Sequence, residues 1–297
     1  MDAVTLVNGL QETGVSPFDR GLAYGDGVFE TIALRQGQVQ LWSQHCQRLT
    51  KGLLTLGLSQ NQQDAQHLIE QLRLDVVAAA GLYSHEHGVI KLTITRGVGG
   101  RGYLAPQSPI HTRIVNVGPW PMGREDLPKT GIHARLCNHP WSNNAALAGL
   151  KHLNRLDQVL ARNEWQQGNI HEGIMRNQQG HVISGVMSNL FIEQDGILIQ
   201  PLLDDCGIHG VMAQQVCVVA KQLSIPVQQK IIPLDQLLQA DAVFLTNSLN
   251  GIWPLVSLDA SEQNLGQHQW GVTAMTKRLQ KTLNQSLSNQ PLVTNLC

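Results

Sequence analysis

The sequence predicts a two-domain α+β protein, and three observations carry that reading. Segments with helical and strand periodicity are interleaved without a regular β-α-β alternation. No Gly-x-Gly-x-x-Gly follows an expected strand, which argues against a doubly wound dinucleotide-binding sheet. One stretch, GPWPMGREDLPKTG at 118–131, concentrates prolines and glycines and reads as a linker. The expected division is an N-terminal α+β domain over 1–118, a linker over 119–130 and a C-terminal α+β domain over 131–297, and 297 residues suffice for two ordinary cores.

The elements follow in order. AVTLVNG reads as a strand ending in an Asn-Gly turn, and GVFETIALRQGQVQLW as a hairpin turning at Gln36-Gly37. Ser43 is placed to cap a helix whose stripe is Cys46, Leu49, Leu53 and Leu56 and which Gly57 stops. NQQDAQHLIEQLRLDVVAAAG is a second amphipathic helix; GVIKLTITRG and HTRIVNVG are strands. Beyond the linker come a strand at GIHARL and a helix from about Leu153 to Gly168 with Leu153, Leu156, Val159 and Leu160 on one face. Short strands then follow at HEGIMRN, HVIS, NLFIEQ and ILIQP. GVMAQQVCVVAKQLS is a helix, PVQQKII and DAVFLTNS are strands, and WGVTAMTKRLQKTLNQSL is a closing helix. The polar tail after Ser288 is expected to be loose.

Composition excludes several function classes. Charged residues make up 14% of the chain and the net charge is −1, with no basic block to gather nucleic acid or an anionic membrane. Cys46, Cys137, Cys206, Cys217 and Cys297 show no paired spacing, which points to a reducing compartment without disulfides or structural zinc. The N-terminus lacks a basic, apolar signal-peptide pattern and no apolar run reaches membrane-spanning length, so a cytoplasmic protein is expected. His85 and His87 form an isolated pair without a third ligand, and no metal site is expected. No Gly-x-Ser-x-Gly supports a serine nucleophile.

Four places have chemistry to offer. Lys151, in ALAGLKHLNRLDQVLAR, follows small residues at an apolar border, where lost solvation would lower its pKa and make it nucleophilic; a snorkelling surface lysine is the simpler local reading. LLDDCGIHGVMAQQV opens a helix between Gly207 and Gly210, so backbone N–H groups near Ile208 and His209 could face an anion such as phosphate, or form an ordinary glycine-rich helix entry. VFLTNSLNG brings Ser248 to a strand exit. TRGVGGRGY is a glycine loop carrying Arg101, suited to gripping a carboxylate, and Tyr103; solvated hairpin residues are the alternative.

These pieces, in order along nearly the whole chain, resemble the fold-type IV enzymes that use pyridoxal 5′-phosphate, a family of branched-chain and D-amino acid aminotransferases and of lyases acting on 4-amino-4-deoxychorismate. DRGLAYGDGVFET resembles its N-terminal signature and HCQRLTKGLLTLGL its phosphate-binding arginine helix, while RGVGGRGY and AGLKHLNRLDQVLAR resemble the lyase branch. The resemblance implies two α+β domains with the cofactor between them, and a homodimer. It implies that Lys151 forms a Schiff base with the cofactor aldehyde and shuttles protons, and that Arg48, Ile208, His209 and Ser248 hold the phosphate. Arg101 and Tyr103, with Tyr24 and Phe29, would line the substrate side. The implied reaction is a β-elimination giving 4-aminobenzoate and pyruvate, in folate synthesis.

One position departs from the family pattern. GHVISGVMSNLF has Ser184 where the family usually carries a glutamate against the pyridine nitrogen. A hydroxyl would leave that nitrogen more often neutral and weaken a long-lived carbanion, which favours elimination over transamination. Glu172 or Asp157 could substitute. An aminotransferase, or a non-catalytic pyridoxal-phosphate-binding protein, remain the alternatives at this stage.

Overall fold

The computed structural model describes residues 3–11, 14–166, 168–288 and 290–292, and its contacts divide the chain into two units. The first runs to Pro121 and takes in Leu150–Asn154 and residues 290–292. Its β1 (Val4–Val7) ends in Asn8 and Gly9, both left-handed, as the Asn-Gly turn requires. After the short α1 (Arg20–Tyr24), β2 (Gly27–Arg35) and β3 (Gln38–Val39) form the expected hairpin around left-handed Gln36 and Gly37. Helices α2 (Trp42–Thr55) and α3 (Gln62–Leu82) precede β4 (Gly88–Thr95) and β5 (Thr112–Pro119). The sheet order is β1-β5-β4-β2-β3, antiparallel throughout. Leu49 and Leu53 of α2 and Leu72 and Val76 of α3 share a core with Ile32, Ile90, Leu92 and Val115 of the sheet. Each such buried side chain contributes roughly 1.5–3 kcal/mol.

Two expectations fail here. Ser43 does not cap α2: the helix begins one residue earlier, at Trp42, and left-handed Leu41 occupies the N-cap position without a side-chain bond. The tail is not loose over 290–292. Gln290 Oε1 accepts from Leu41 N (2.9 Å), Pro291 O from Val39 N (3.1 Å), and Leu292 bridges Gln38, so this segment covers the short edge strand β3. Residues 293–297, with Cys297, lie outside the described residues.

The second unit spans Met122–Gly149 and Arg155–Ser288. It contains α4 (Leu127–Thr130), β6 (Ile132–Leu136), α5 (Leu156–Arg162), β7 (Glu172–Arg176), β8 (Val182–Gly185), β9 (Asn189–Gln194) and β10 (Ile197–Pro201). There follow α6 (Val211–Gln222), β11 (Val227–Lys230), α7 (Leu234–Leu238), β12 (Ala242–Asn247), β13 (Gly251–Asp259), β14 (Gln267–Gln269) and α8 (Ala274–Leu287). The main strand order is β11-β10-β9-β12-β13-β6-β7-β8, with β14 paired to β13. Parallel pairs β10–β11, β13–β6 and β6–β7 make the sheet mixed.

The division differs from the sequence expectation in one consequential place. The first unit ends inside the expected linker, but Leu150–Asn154, with Lys151, belongs to the first unit instead of the C-terminal domain. Its backbone pairs with the start of β2: Phe29 N donates to Lys151 O and Leu153 N to Gly27 O, both at 3.0 Å. Those bonds hold the segment extended, so α5 cannot begin at Leu153 and starts at Leu156. The apolar stripe Leu156, Val159 and Leu160 is exposed in this chain.

Candidate active site

Lys151 is presented by that extended segment. The bridge between His152 and Val28 and the bond from Asn154 Nδ2 to Gly25 O (3.1 Å) extend its anchorage to β2 and the turn before it. Gly27 has room for no side chain there: a Cβ would meet Ile94 O of β4 at 2.3 Å and Leu153 Cδ1 of the segment at 2.8 Å. The half-buried Lys151 places Nζ 4.2 Å from the centroid of the Phe29 ring, a cation–π contact that orients the amine over an aromatic face. The structure thus brings together Lys151 and Phe29, two of the residues singled out in the sequence.

Arg48 lies behind β2, on α2. Its Nε donates to Glu30 Oε1 (2.7 Å) and its Nη2 to Glu30 Oε2, a bidentate pair, while His45 Nδ1 donates to Glu30 Oε2 at 2.7 Å. Glu30 and His45 are buried. Burial alone would raise the Glu30 carboxyl, but the Arg48 charge and the hydrogen bonds donated by Arg48 and His45 outweigh it and hold the group down at about 2. Burial also lowers the His45 pKa, against the pull of Glu30, so its ring is held neutral with the proton on Nδ1. His45 Nε2 has no hydrogen-bond partner among the described residues. Sequence reading finds Arg48 but misses Glu30 and His45. A signal is there: Glu30 is in phase with buried Val28 and Ile32, so the strand pattern turns a carboxylate into the core.

The DRGLAYGDG motif is scaffolding around the glycine loop. Asp19 caps α1 through Gly21 N (2.7 Å) and accepts from Thr95 (2.9 Å) and Thr112 (2.6 Å) on β4 and β5. Asp26 receives Arg96 Nε at 2.7 Å and Arg20 Nε at 2.8 Å; burial would raise its carboxyl, and the two guanidiniums hold it below its ordinary value. Tyr24 and Tyr103 pack together with ring centroids 5.3 Å apart, whereas Arg101 is exposed.

The second unit supplies the phosphate-type features. Gly149 and Ile208 form a parallel bridge in which Gly149 N donates to Gly207 O and His209 N to Gly149 O, each at 3.0 Å. The His209 N–H is therefore occupied, contrary to the expectation that it faces an anion. The open donors lie slightly further on: α6 starts after Gly210 with no side-chain cap, so its first-turn N–H groups lack the side-chain partner that such a turn usually has. A Cβ on Gly210 would fall 1.8 Å from Asn189 Oδ1, whose Nδ2 holds Ile208 O at 2.8 Å. Ser248 sits in a tight turn past β12, folded by Asn247 Oδ1 accepting from Leu249 N (3.0 Å) and Asn250 N (2.9 Å).

Ser184 is buried on β8. Its Oγ accepts from Trp141 Nε1 at 3.0 Å and donates to Gly185 O at 2.7 Å. Its one proton is committed, and the lone pair left over can only accept. Neither carboxylate considered as a substitute is idle. Glu172 accepts from Gly173 N (3.0 Å), Met187 N (3.2 Å) and Ser188 Oγ (2.8 Å), with burial raising its pKa. Asp157 accepts from His139 (3.0 Å) and Ser142 N (2.9 Å). No metal-binding cluster and no membrane-length apolar helix occur among the described residues. Burial pushes the Cys46 and Cys206 thiols up to about 12, so both are unreactive.

Comparison with known proteins gives one family. The model of the class IV aminotransferases matches residues 27–258. An aminodeoxychorismate lyase of Vibrio harveyi is 33% identical over 282 residues, covering 94% of this chain and 98% of that protein. The crystal structure of 4-amino-4-deoxychorismate lyase from Pseudomonas aeruginosa superposes with a TM-score of 0.87 at 38% identity, covering 96% of this chain and 100% of that one. A Mycobacterium tuberculosis protein described as a hypothetical aminotransferase, in its PLP-bound form, shares the fold at a TM-score of 0.78 and 18% identity, over 96% of this chain and 98% of its own.

Proposed function

The chain belongs to the class IV aminotransferase family, and from that premise we propose that it is a pyridoxal-phosphate-dependent lyase converting 4-amino-4-deoxychorismate to 4-aminobenzoate and pyruvate. The observation that carries the reaction is its likeness, at 33% and 38% identity over nearly the whole chain, to two proteins described as lyases of that substrate.

The residues present fit the cofactor. A half-buried primary amine, held on an extended segment beside Phe29, can condense with an aldehyde in its neutral form, and the uncapped start of α6 suits a phosphate dianion. In this reading Lys151 holds the cofactor covalently. Arg48, the Ile208–Gly210 backbone and Ser248 are assigned to its phosphate, with the Val211 and Met212 N–H groups added and the His209 N–H set aside. When bound, the cofactor supplies an electron sink for the carbon bearing the substrate amine. The Lys151 amine would take the proton from that carbon and return it to the departing enolpyruvyl group, which would leave as pyruvate as the ring becomes aromatic. Arg101 and Tyr103 bind the substrate carboxylate side, flanked by Tyr24 and Phe29. Ser184 supports elimination: with its proton given to Gly185 O, it offers the pyridine nitrogen no negative charge and no acid.

The test is pyruvate release from 4-amino-4-deoxychorismate, followed with lactate dehydrogenase. Wild type should release pyruvate and 4-aminobenzoate in equal amounts, and Lys151→Ala should lose at least about 10³-fold of the rate. Amine exchange with keto acids in place of pyruvate would make it an aminotransferase.

We also propose a homodimer. Phe18, Leu22, Val98, Tyr103, Leu104 and Ile110 are large apolar residues exposed together around α1 and the glycine loop. Val98 bridges Asp19, next to Phe18, and Tyr103 packs on Tyr24, so they form one patch.

A further inference from the structure

We propose that Arg20 is a positioning residue: it fixes the conformation of the Gly97–Leu104 loop and thereby the placement of Arg101 and Tyr103. The loop has little to hold itself. It carries Gly97, Gly99, Gly100 and Gly102, and Gly97 and Gly102 adopt φ of 78° and 85°. Arg20 binds it at both ends. Its backbone N–H donates to Gly97 O at 2.9 Å, where the loop leaves β4. Its guanidinium takes the other end: Nη1 donates to Gly102 O (3.2 Å) and Leu104 O (3.3 Å), and Nη2 to Tyr103 O (2.9 Å).

The remaining contacts explain why an arginine is needed. Nε donates to Asp26 Oδ2 at 2.8 Å, and Asp26 is itself fixed by Arg96, which donates to Leu56 O (2.7 Å) and Gly57 O (2.6 Å). Arg20 is thus buried against a rigid anchor while its planar fork reaches three consecutive carbonyls. An ammonium on a flexible stem offers three donors from one point and cannot meet that set. The stem is used as well: a Cβ on Gly99 would lie 2.6 Å from Arg20 Cδ, so the loop is draped on the side chain. The guanidinium carbon lies 4.9 Å from the Tyr24 ring centroid, and Tyr24 packs on Tyr103. One residue therefore sets both the path of the loop and the stacking of its aromatic side chain.

The substrate-side half of this inference rests on the lyase reading; the loop half does not. The experiment compares hydrogen–deuterium exchange over residues 97–105, and trypsin cleavage after Arg101, in wild type, Arg20→Lys and Gly99→Ala full-length protein. Both variants should exchange and cleave about tenfold faster in this segment, with the rest of the chain unchanged. In the pyruvate assay Arg20→Lys should raise KM about tenfold and leave kcat within about threefold. Should Arg20→Lys loosen the whole first unit, Gly99→Ala decides, since it parts the loop from the Arg20 stem while both the guanidinium and Asp26 are retained. Exchange and cleavage as in wild type overturn the inference. Faster exchange with an unchanged KM overturns its substrate-side half. Wild type that releases no pyruvate refutes the lyase reading, and the exchange result still decides the role of Arg20.

Discussion

At the scale of single residues, the Glu30 carboxylate is a buried charge whose loss the first unit should feel strongly. It is buried, it is ionised, and Arg48 and His45 converge on it. Replacing it by the isosteric amide leaves the Arg48 guanidinium without its countercharge. Glu30→Gln should therefore cost about 3–5 kcal/mol at neutral pH, measured by urea unfolding. The sign with pH follows from the depressed carboxyl, about 2 when folded against an ordinary 4.5. Its contribution is present above 4.5 and is lost as pH falls through the folded value, so the gap between wild type and variant should narrow as the medium is acidified toward about pH 3. A gap that stays constant over that range would mean the charge of Glu30 does not matter. The contrast with Lys151 shows what sequence carries at this scale. A lysine after small residues attracts notice by its chemistry, and family resemblance adds its role. Glu30 is visible only through strand phase, and its partners are 15 and 18 positions away on another element. Ser184 is legible as a substitution, but that its proton goes to Gly185 O is not.

At the scale of elements, the entry to α6 depends on close backbone approach. Gly149 has φ 78°, both its N–H and its C=O are paired to the 207–209 segment, and a Cβ there would meet His209 Cδ2 at 2.0 Å. An alanine would be strained in backbone and would also push the imidazole aside. Gly149→Ala should lose about 2–4 kcal/mol of stability, whereas Gly168→Ala, in open space with no positive φ, should stay within about 0.5 kcal/mol. Equal unfolding midpoints for the two variants would sink the argument. Most elements are readable from local pattern: the turns at Asn8-Gly9 and Gln36-Gly37, α3, β4, β5 and α6 fall where periodicity and turn residues put them. The failures share a cause, which is non-local pairing. Leu150–Asn154 is extended because β2 pairs with it, although its own residues favour helix. No element is expected at GIWPLVSLD, where Pro254 obscures a strand pattern, yet β13 lies between β12 and β6. Pairing with β6 begins only at Leu255, which leaves Pro254 outside that ladder.

At the scale of the whole molecule, the exposed apolar surface around α1 calls for a partner, and a second copy of the chain is the occupant we propose. A net charge of −1 gives two copies little electrostatic reason to repel. Tyr103 and Leu104 are 86% and 89% exposed, yet the backbone carrying them is bound by Arg20. A preordered apolar surface of this kind loses little entropy on association and keeps most of its burial energy. Leu22 is the position to test, because it is 71% exposed on the outer side of α1 and has no part in the assigned chemistry. Sedimentation equilibrium should find the wild type dimeric at about 10 μM, and Leu22→Glu should weaken the dimer about 100-fold or more by setting a charge in the apolar contact. Circular dichroism of that variant should match wild type, which separates lost association from lost folding. A wild type that sediments as a monomer at that concentration, or a dimer indifferent to Leu22→Glu, would mean that the patch around α1 is covered by something other than a second copy.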